Sequence, residues 1–198
     1  KTEEFIPTHT FADFALDARL HKTITAKGYV TPTPIQDKAI PHGIIGKDVV
    51  GIAETGTGKT AAFLLPLIQN AIANKHAQAL IMVPTRELAV QIEEEFRAFS
   101  RGLGLYACVL IGGAPMGKQL RELRYFNHFI IGTPGRIKDM IERGALNITS
   151  FEALVLDEAD RMLDMGFIHD VKKVLAAVPK EKQSLLFSAT FSDEIREL

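Results

Sequence analysis

Apolar residues fall along this chain in two alternating rhythms. Short unbroken runs stand at 49–52, 79–83, 107–111, 129–131, 153–156 and 185–187, each of strand length. Segments with helical spacing lie between most of them. Leu88, Ile92, Phe96 and Phe99 mark one face of such a helix, with Glu93 and Arg97 paired four apart on another. Unbroken apolar strands separated by helices predict an α/β domain, a parallel sheet with helices on both faces. Right-handed crossovers then bring every strand's C-terminal end to one rim, where such sheets bind their ligands.

Before residue 48 the pattern is helical. Residues 1–10 are polar, contain Pro7 and predict a poorly ordered lead-in to a single domain over 11–198. Thr10 is placed to cap a helix from Phe11, with Asp13 three residues on and Phe11, Phe14 and Leu16 as its apolar content. Gly28-Tyr29 closes the next helical stretch. Thr33-Pro34-Ile35-Gln36 reads as another start: a cap, a proline at the first position and the amide of a capping box at the third. Pro66 inside a later helix predicts a kink or a loosened turn.

Composition narrows the class. A formal net charge of -1 argues against a basic blanket, yet leaves room for nucleic acid held by a local patch. Cys108 is the single cysteine, so no intrachain disulfide can form, and a reducing, cytoplasmic setting is expected. No run of about 18 apolar residues predicts a spanning helix, and no signal sequence opens the chain.

The chemistry sits at the ends of the apolar runs. Ala53-Glu54-Thr55-Gly56-Thr57-Gly58-Lys59-Thr60 follows the first strand and precedes a helix. Gly56 and Gly58 let the backbone curl so that its N–H groups face an anion, and the helix start adds orphan donors. Lys59 is placed to reach β- and γ-phosphates and Thr60 to ligate Mg²⁺. Ala53 stands where the strict pattern has glycine. Read alone, the stretch could also be a glycine-rich loop with an exposed lysine. Asp157 follows an apolar strand, as expected of the acid that holds Mg²⁺ beside a phosphate loop, and Glu158 could orient or deprotonate a water. Alternatively, the two form a solvated turn.

The other strands deliver Pro84-Thr85-Arg86, Gly112-Gly113, Thr133-Pro134-Gly135-Arg136 and Ser188-Ala189-Thr190 to the same rim. Thr85 and Thr133 read as N-caps, each with an arginine nearby; helix N-termini plus arginine make anion sites. Singly, each is equally a cap or a turn. Together they could track consecutive phosphates of a strand without reading its sequence.

With these motifs in this order, the chain resembles the N-terminal, RecA-like P-loop NTPase domain of DEAD-box RNA helicases over about residues 11–190. Gly28 through Gln36 is similar to the Q motif, with Phe11 as its upstream aromatic. Ala53 through Thr60 is similar to motif I, in which alanine at the first position is normal. Pro84 through Ala89, Gly112-Gly113, Thr133 through Arg136, Asp157-Glu158-Ala159-Asp160 and Ser188 through Thr190 resemble motifs Ia, GG, Ib, II and III. The resemblance implies that Gln36 hydrogen-bonds the adenine edge of ATP and that Phe11 stacks on the ring. It implies that Asp160 bonds Ser188 or Thr190 and so links the ATP site to domain closure. Pro84, Thr85, Arg86, Gly112, Gly113, Thr133, Pro134, Gly135 and Arg136 would line an RNA path. A second RecA-like domain, no motif of which is present here, would add arginines and the rest of the RNA groove.

The expectation is the ATP-binding half of an ATP-dependent RNA helicase, using ATP and Mg²⁺ and monomeric on its own. Alone it would bind adenine nucleotides weakly, with little RNA-stimulated hydrolysis. A nucleotide-gated RNA clamp serving as an assembly platform would carry the same motifs. A DNA-directed helicase or a small-molecule kinase is disfavoured by the Q motif beside Asp157-Glu158-Ala159-Asp160, and by the lack of a lid-like arginine cluster.

Overall fold

The computed structural model describes residues 5–198; the first four residues of the expected lead-in lie outside it. Six strands form one sheet: β1 (Val49–Ile52), β2 (Ala79–Met82), β3 (Ala107–Leu110), β4 (Phe129–Gly132), β5 (Ala153–Leu156) and β6 (Gln183–Ser188). Every pairing is parallel, in the order β1-β6-β5-β2-β4-β3. Helices α1 (Ala18–Ala26), α2 (Pro34–Ile44), α3 (Lys59–Ala73), α4 (Arg86–Phe99), α5 (Met116–Glu122), α6 (Pro134–Glu142), α7 (Ala159–Asp164), α8 (Ile168–Ala177) and α9 (Asp193–Arg196) precede, connect or follow the strands.

Alternation along the strands splits the interior into two layers. Ile81, Ile131, Val155 and Phe187 point into one core with Phe63, Phe96 and Phe99. Leu80, Ile130, Leu154 and Leu110 point into the other with Ile137, Met140, Val171 and Val174. The apolar runs are unbroken because both faces of the sheet are covered. Each such side chain contributes about 1.5–3 kcal/mol by leaving water, so a charge at Ile81 or Leu80 would open one layer or the other.

Three local expectations differ from the structure. The helix expected from Phe11 is one 3-10 turn, Phe11–Asp13. Phe14 turns extended at ψ 134, and α1 begins afresh where the Asp17 carboxylate accepts from Arg19 N–H at 2.8 Å. The lead-in is tied down at its end: Thr8 and His9 N–H donate to Asp37 at 2.8 and 3.0 Å. Finally, α3 runs unbroken through Pro66, whose ring packs on Gly43 of α2. A Cβ at Gly43 would lie 2.7 Å from Pro66 Cγ, so this close helix contact offsets the hydrogen bond that proline removes.

Candidate nucleotide and nucleic-acid site

The strand order sets three chemical groups side by side. β1, β6 and β5 are neighbours, so the loop after β1, Ser188 at the end of β6 and Asp157 after β5 share one lip of the sheet. The ladder extends past β1, with Ala53 N–H donating to the Ser188 carbonyl at 2.9 Å. The chain then turns through Gly56 and Gly58, both left-handed at φ 83 and 91, into α3. Thr57 Oγ1 donates to the Glu54 carbonyl at 2.7 Å and closes the loop on itself. Glu54 and Thr55 are exposed, so the loop's outer side is open.

Lys59 is buried and folded inward. Its Nζ donates to the Ala53 carbonyl at 3.0 Å and lies 3.9 Å from Asp157 Oδ1. Thr60 follows in the first turn of α3, half-buried. Lys59 and Asp157 are thus at one place, with Thr60 next in the chain after Lys59. Asp157 is 2% exposed. Burial pushes its carboxyl up to about 6, against the pull of Lys59 and of the Glu158 N–H. The buried Asp157 carboxylate and the Thr60 hydroxyl are hard oxygen donors, a chemistry that fits Mg²⁺.

Glu158 is the sole non-glycine residue at positive φ (52) among the described residues. Such a backbone persists only where its surroundings impose it, and it clusters at functional sites. Its N–H donates to Asp157 Oδ1 at 2.9 Å, and both its own oxygens are taken: Thr55 Oγ1 donates at 3.2 Å and Arg161 Nη1 at 3.1 Å. Neither Thr55 nor Arg161 stands out in sequence as a partner of Glu158; the i,i+3 spacing of Arg161 is the single signal. Asp160 N–H donates to Ser188 Oγ at 3.2 Å, and Asp160 Oδ2 accepts from Thr190 N–H and Oγ1 at 3.1 and 3.2 Å.

Gln36 is 2% exposed. Its Oε1 accepts from Thr33 N–H at 3.0 Å, the reciprocal half of the capping box, while its Nε2 donates to the Gly58 carbonyl at 3.1 Å. Thr33 Oγ1 is buried without a partner. A primary amide has two lone pairs and two N–H bonds, so one of each is left beside these two bonds. The amide also explains Gly58: a Cβ there would sit 2.3 Å from Gln36 Nε2. Phe11 is 4% exposed and packs edge-to-face with Tyr29 and Phe14 at 5.5 and 5.7 Å. A side chain with no polar end gains most by joining this aromatic cluster.

Farther along the rim, a groove of ≈ 550 Å³ gathers Pro84, Thr85, Arg86, Gly112, Thr133, Gly135 and Arg136. Thr85 caps α4, its Oγ1 accepting from Leu88 N–H at 3.2 Å; Thr133 precedes α6 without a side-chain cap bond. The Arg86 guanidinium lies over the glycine pair, where a Cβ on Gly113 (φ +75) would be 2.1 Å from Nη1. Arg136 Nη1 is buried and unpartnered. Pro84 and Pro134 are both buried; Pro84 lines the groove, and Pro134 is the first residue of α6. Glu87, Asp139, Met165 and Phe167 also line the groove, and no sequence signal marks them.

With this geometry in place, similarity to known proteins is informative. The family model described as DEAD/DEAH box helicase matches residues 33–198. The ATP-dependent RNA helicase CshA of Listeria monocytogenes is 47% identical over 189 residues, covering 95% of this chain and 36% of that protein. The ATP-dependent RNA helicase DeaD of Escherichia coli is 47% identical over 191 residues, covering 96% of this chain and 30% of that protein. The crystal structure of a DEAD box protein from Methanococcus jannaschii superposes with a TM-score of 0.91 at 40% identity, covering 97% of this chain and 53% of that one. The chain therefore spans about a third of the length of the curated relatives it matches.

Proposed function

The chain belongs to the DEAD/DEAH box helicase family, and from that premise we propose that it is the ATP-gripping, RNA-contacting part of an ATP-dependent RNA helicase. One observation carries the proposal: Lys59 is held between the Ala53 carbonyl and Asp157 Oδ1 at the mouth of a left-handed glycine turn. A phosphate chain would occupy the helix N-terminus, and Lys59 would swing from the carbonyl to the β- and γ-oxygens.

Thr60 and Asp157 are the residues that would hold Mg²⁺, which when bound supplies charge neutralisation at the phosphates. Glu158 would leave Thr55 to orient a water. The spare lone pair and N–H of Gln36 match the donor–acceptor edge of adenine. Phosphoryl transfer asks little else of a protein than positioning and charge. On the rim, Arg86, Arg136 and the starts of α4 and α6 would grip RNA phosphates, a contact blind to base sequence. Asp160, bonded to Ser188 and Thr190, would carry the state of the nucleotide toward a second RecA-like domain, which would complete both sites.

The test uses a longer chain that includes that domain, measuring ATP hydrolysis and duplex separation with RNA and with DNA. RNA-stimulated hydrolysis abolished by Lys59→Ala is expected. Stimulation by DNA in preference to RNA contradicts the proposal.

A further inference from the structure

Gln36 is followed directly by a second buried polar side chain that the proposed function leaves unused. Asp37 lies in the first turn of α2 with its side chain 4% exposed. Its partners come from far back in the chain: Thr8 N–H donates to Oδ2 at 2.8 Å, His9 N–H to Oδ1 at 3.0 Å, and His9 Nδ1 lies 2.7 Å from Oδ1. Burial alone would raise the Asp37 carboxyl, but the bonds from Thr8 and His9 outweigh it and hold it below the usual range. It is therefore a charge that keeps the lead-in on the helix, and one that would be costly to leave buried and unpaired.

The same segment grips the turn from its other side. Two residues after His9, Phe11 packs edge-on against Tyr29 at 5.5 Å, and both His9 and Phe11 touch Phe14 at 5.7 Å. Residues 8–11 thus bracket the stretch from Tyr29 to Asp37, His9 holding the helix end and Phe11 the turn. Gln36 lies inside the bracket, its amide spanning Thr33 N–H and the Gly58 carbonyl. A glutamine has freely rotating bonds to restrain, and aiming its amide requires that the backbone beneath it be fixed.

We infer that Asp37 is a positioning residue for base selection, and that Thr8 and His9 are the latch through which the lead-in keeps Gln36 aimed across Gly58. This rests on the reading of Gln36 as the group that meets adenine. Through Thr8 and His9 the end of the lead-in accordingly belongs to the nucleotide site, although its bonds go to Asp37.

The experiment compares dissociation constants for ATP and GTP in the 198-residue chain and in Gln36→Ala, Asp37→Ala and His9→Ala, with thermal melting to establish folding. Asp37→Ala should cut the ATP-over-GTP ratio roughly fivefold or more, the scale of a disturbed buried hydrogen bond. His9→Ala should cut it less, and adding His9→Ala to Asp37→Ala should change nothing further, because both act through one latch. If Asp37→Ala does not fold, the ratio in His9→Ala decides. An unchanged ratio in folded Asp37→Ala and His9→Ala, with the ratio lost in Gln36→Ala, overturns the latch and leaves the role of Gln36 standing. Equal weakening of both nucleotides marks a merely structural contact and also overturns it. A ratio that survives in Gln36→Ala removes the reading itself, and the latch with it.

Discussion

Asp160 and Thr190 are joined twice: Asp160 Oδ2 accepts from both the backbone N–H and the hydroxyl of Thr190, at 3.1 and 3.2 Å. The pair ties the start of α7, which carries the acidic residues, to the segment leaving β6. With Ser188 accepting from Asp160 N–H at 3.2 Å, the segments leaving β5 and β6 are tied together at three points. Thr190→Ala should therefore leave ATP affinity of the chain within about twofold, while lowering RNA-stimulated hydrolysis in a two-domain protein, because the residue touches the linkage and not the phosphates. Steady-state hydrolysis beside equilibrium binding checks this. A parallel loss of ATP affinity contradicts it.

Acid should break the same linkage. Burial tends to raise the Asp160 carboxyl, but hydrogen bonds from Ser188, Arg161 and Thr190 outweigh it, so its value lies below the ordinary 3.8. A carboxyl depressed in the folded state contributes stability that is present above 3.8 and lost as pH falls through the folded value. In a series of denaturant titrations, the gap between wild type and Asp160→Asn should be open at pH 5–7 and close as pH falls below about 3.8.

Asp157 has the opposite sign. Its carboxyl is raised to about 6, so its favourable contribution is complete below the unfolded value of 3.8 and is lost as pH rises through 6. At pH 7.5, without metal, the charged form is a burden of about 1–3 kcal/mol. Asp157→Asn should stabilise the metal-free chain by that order at pH 7.5 and by almost nothing at pH 4. Urea unfolding at both values checks the sign; a destabilised variant at pH 7.5 contradicts it.

Phe11 separates two readings. As a buried member of the Phe14–Tyr29 cluster, it should cost about 3 kcal/mol of stability when replaced by alanine. Were it a stacking platform, Phe11→Ala would weaken ATP binding with the melting temperature unmoved. Calorimetric melting and ATP titration of the same preparation distinguish these.

Gly113 should matter to nucleic acid alone. A Cβ there meets the Arg86 guanidinium at 2.1 Å on a left-handed backbone. The side chain can swing away, so Gly113→Ala should weaken RNA binding and flatten its salt dependence by about one charge, and Arg86→Ala should do the same. ATP affinity should hold. Filter-binding over a salt series checks it, and an unchanged slope contradicts it.

Much of this molecule is legible in residue order. The six apolar runs are strands within a residue or two, because a sheet covered on both faces needs them unbroken. The loop after β1 is legible because its glycines answer to backbone shape and its lysine to charge. The strand order is not: apolar runs of similar make-up carry no mark of which neighbour each will take. Phe11 was legible as an aromatic but not as a buried one, since burial depends on Tyr29 eighteen places on. Glu158 reads as a free carboxylate and is instead held by Thr55, which lies 103 residues earlier. The lead-in reads as loose because its anchor, Asp37, looks like any first-turn acid.

The most direct measurement is the affinity of a fluorescent ATP analogue for the 198-residue chain, with and without Mg²⁺, set against Asp157→Asn. If Lys59, Thr60 and Asp157 grip a metal-bound triphosphate together, Mg²⁺ strengthens binding to the wild type and not to the variant. Equal Mg²⁺ dependence in the two proteins would contradict that grip.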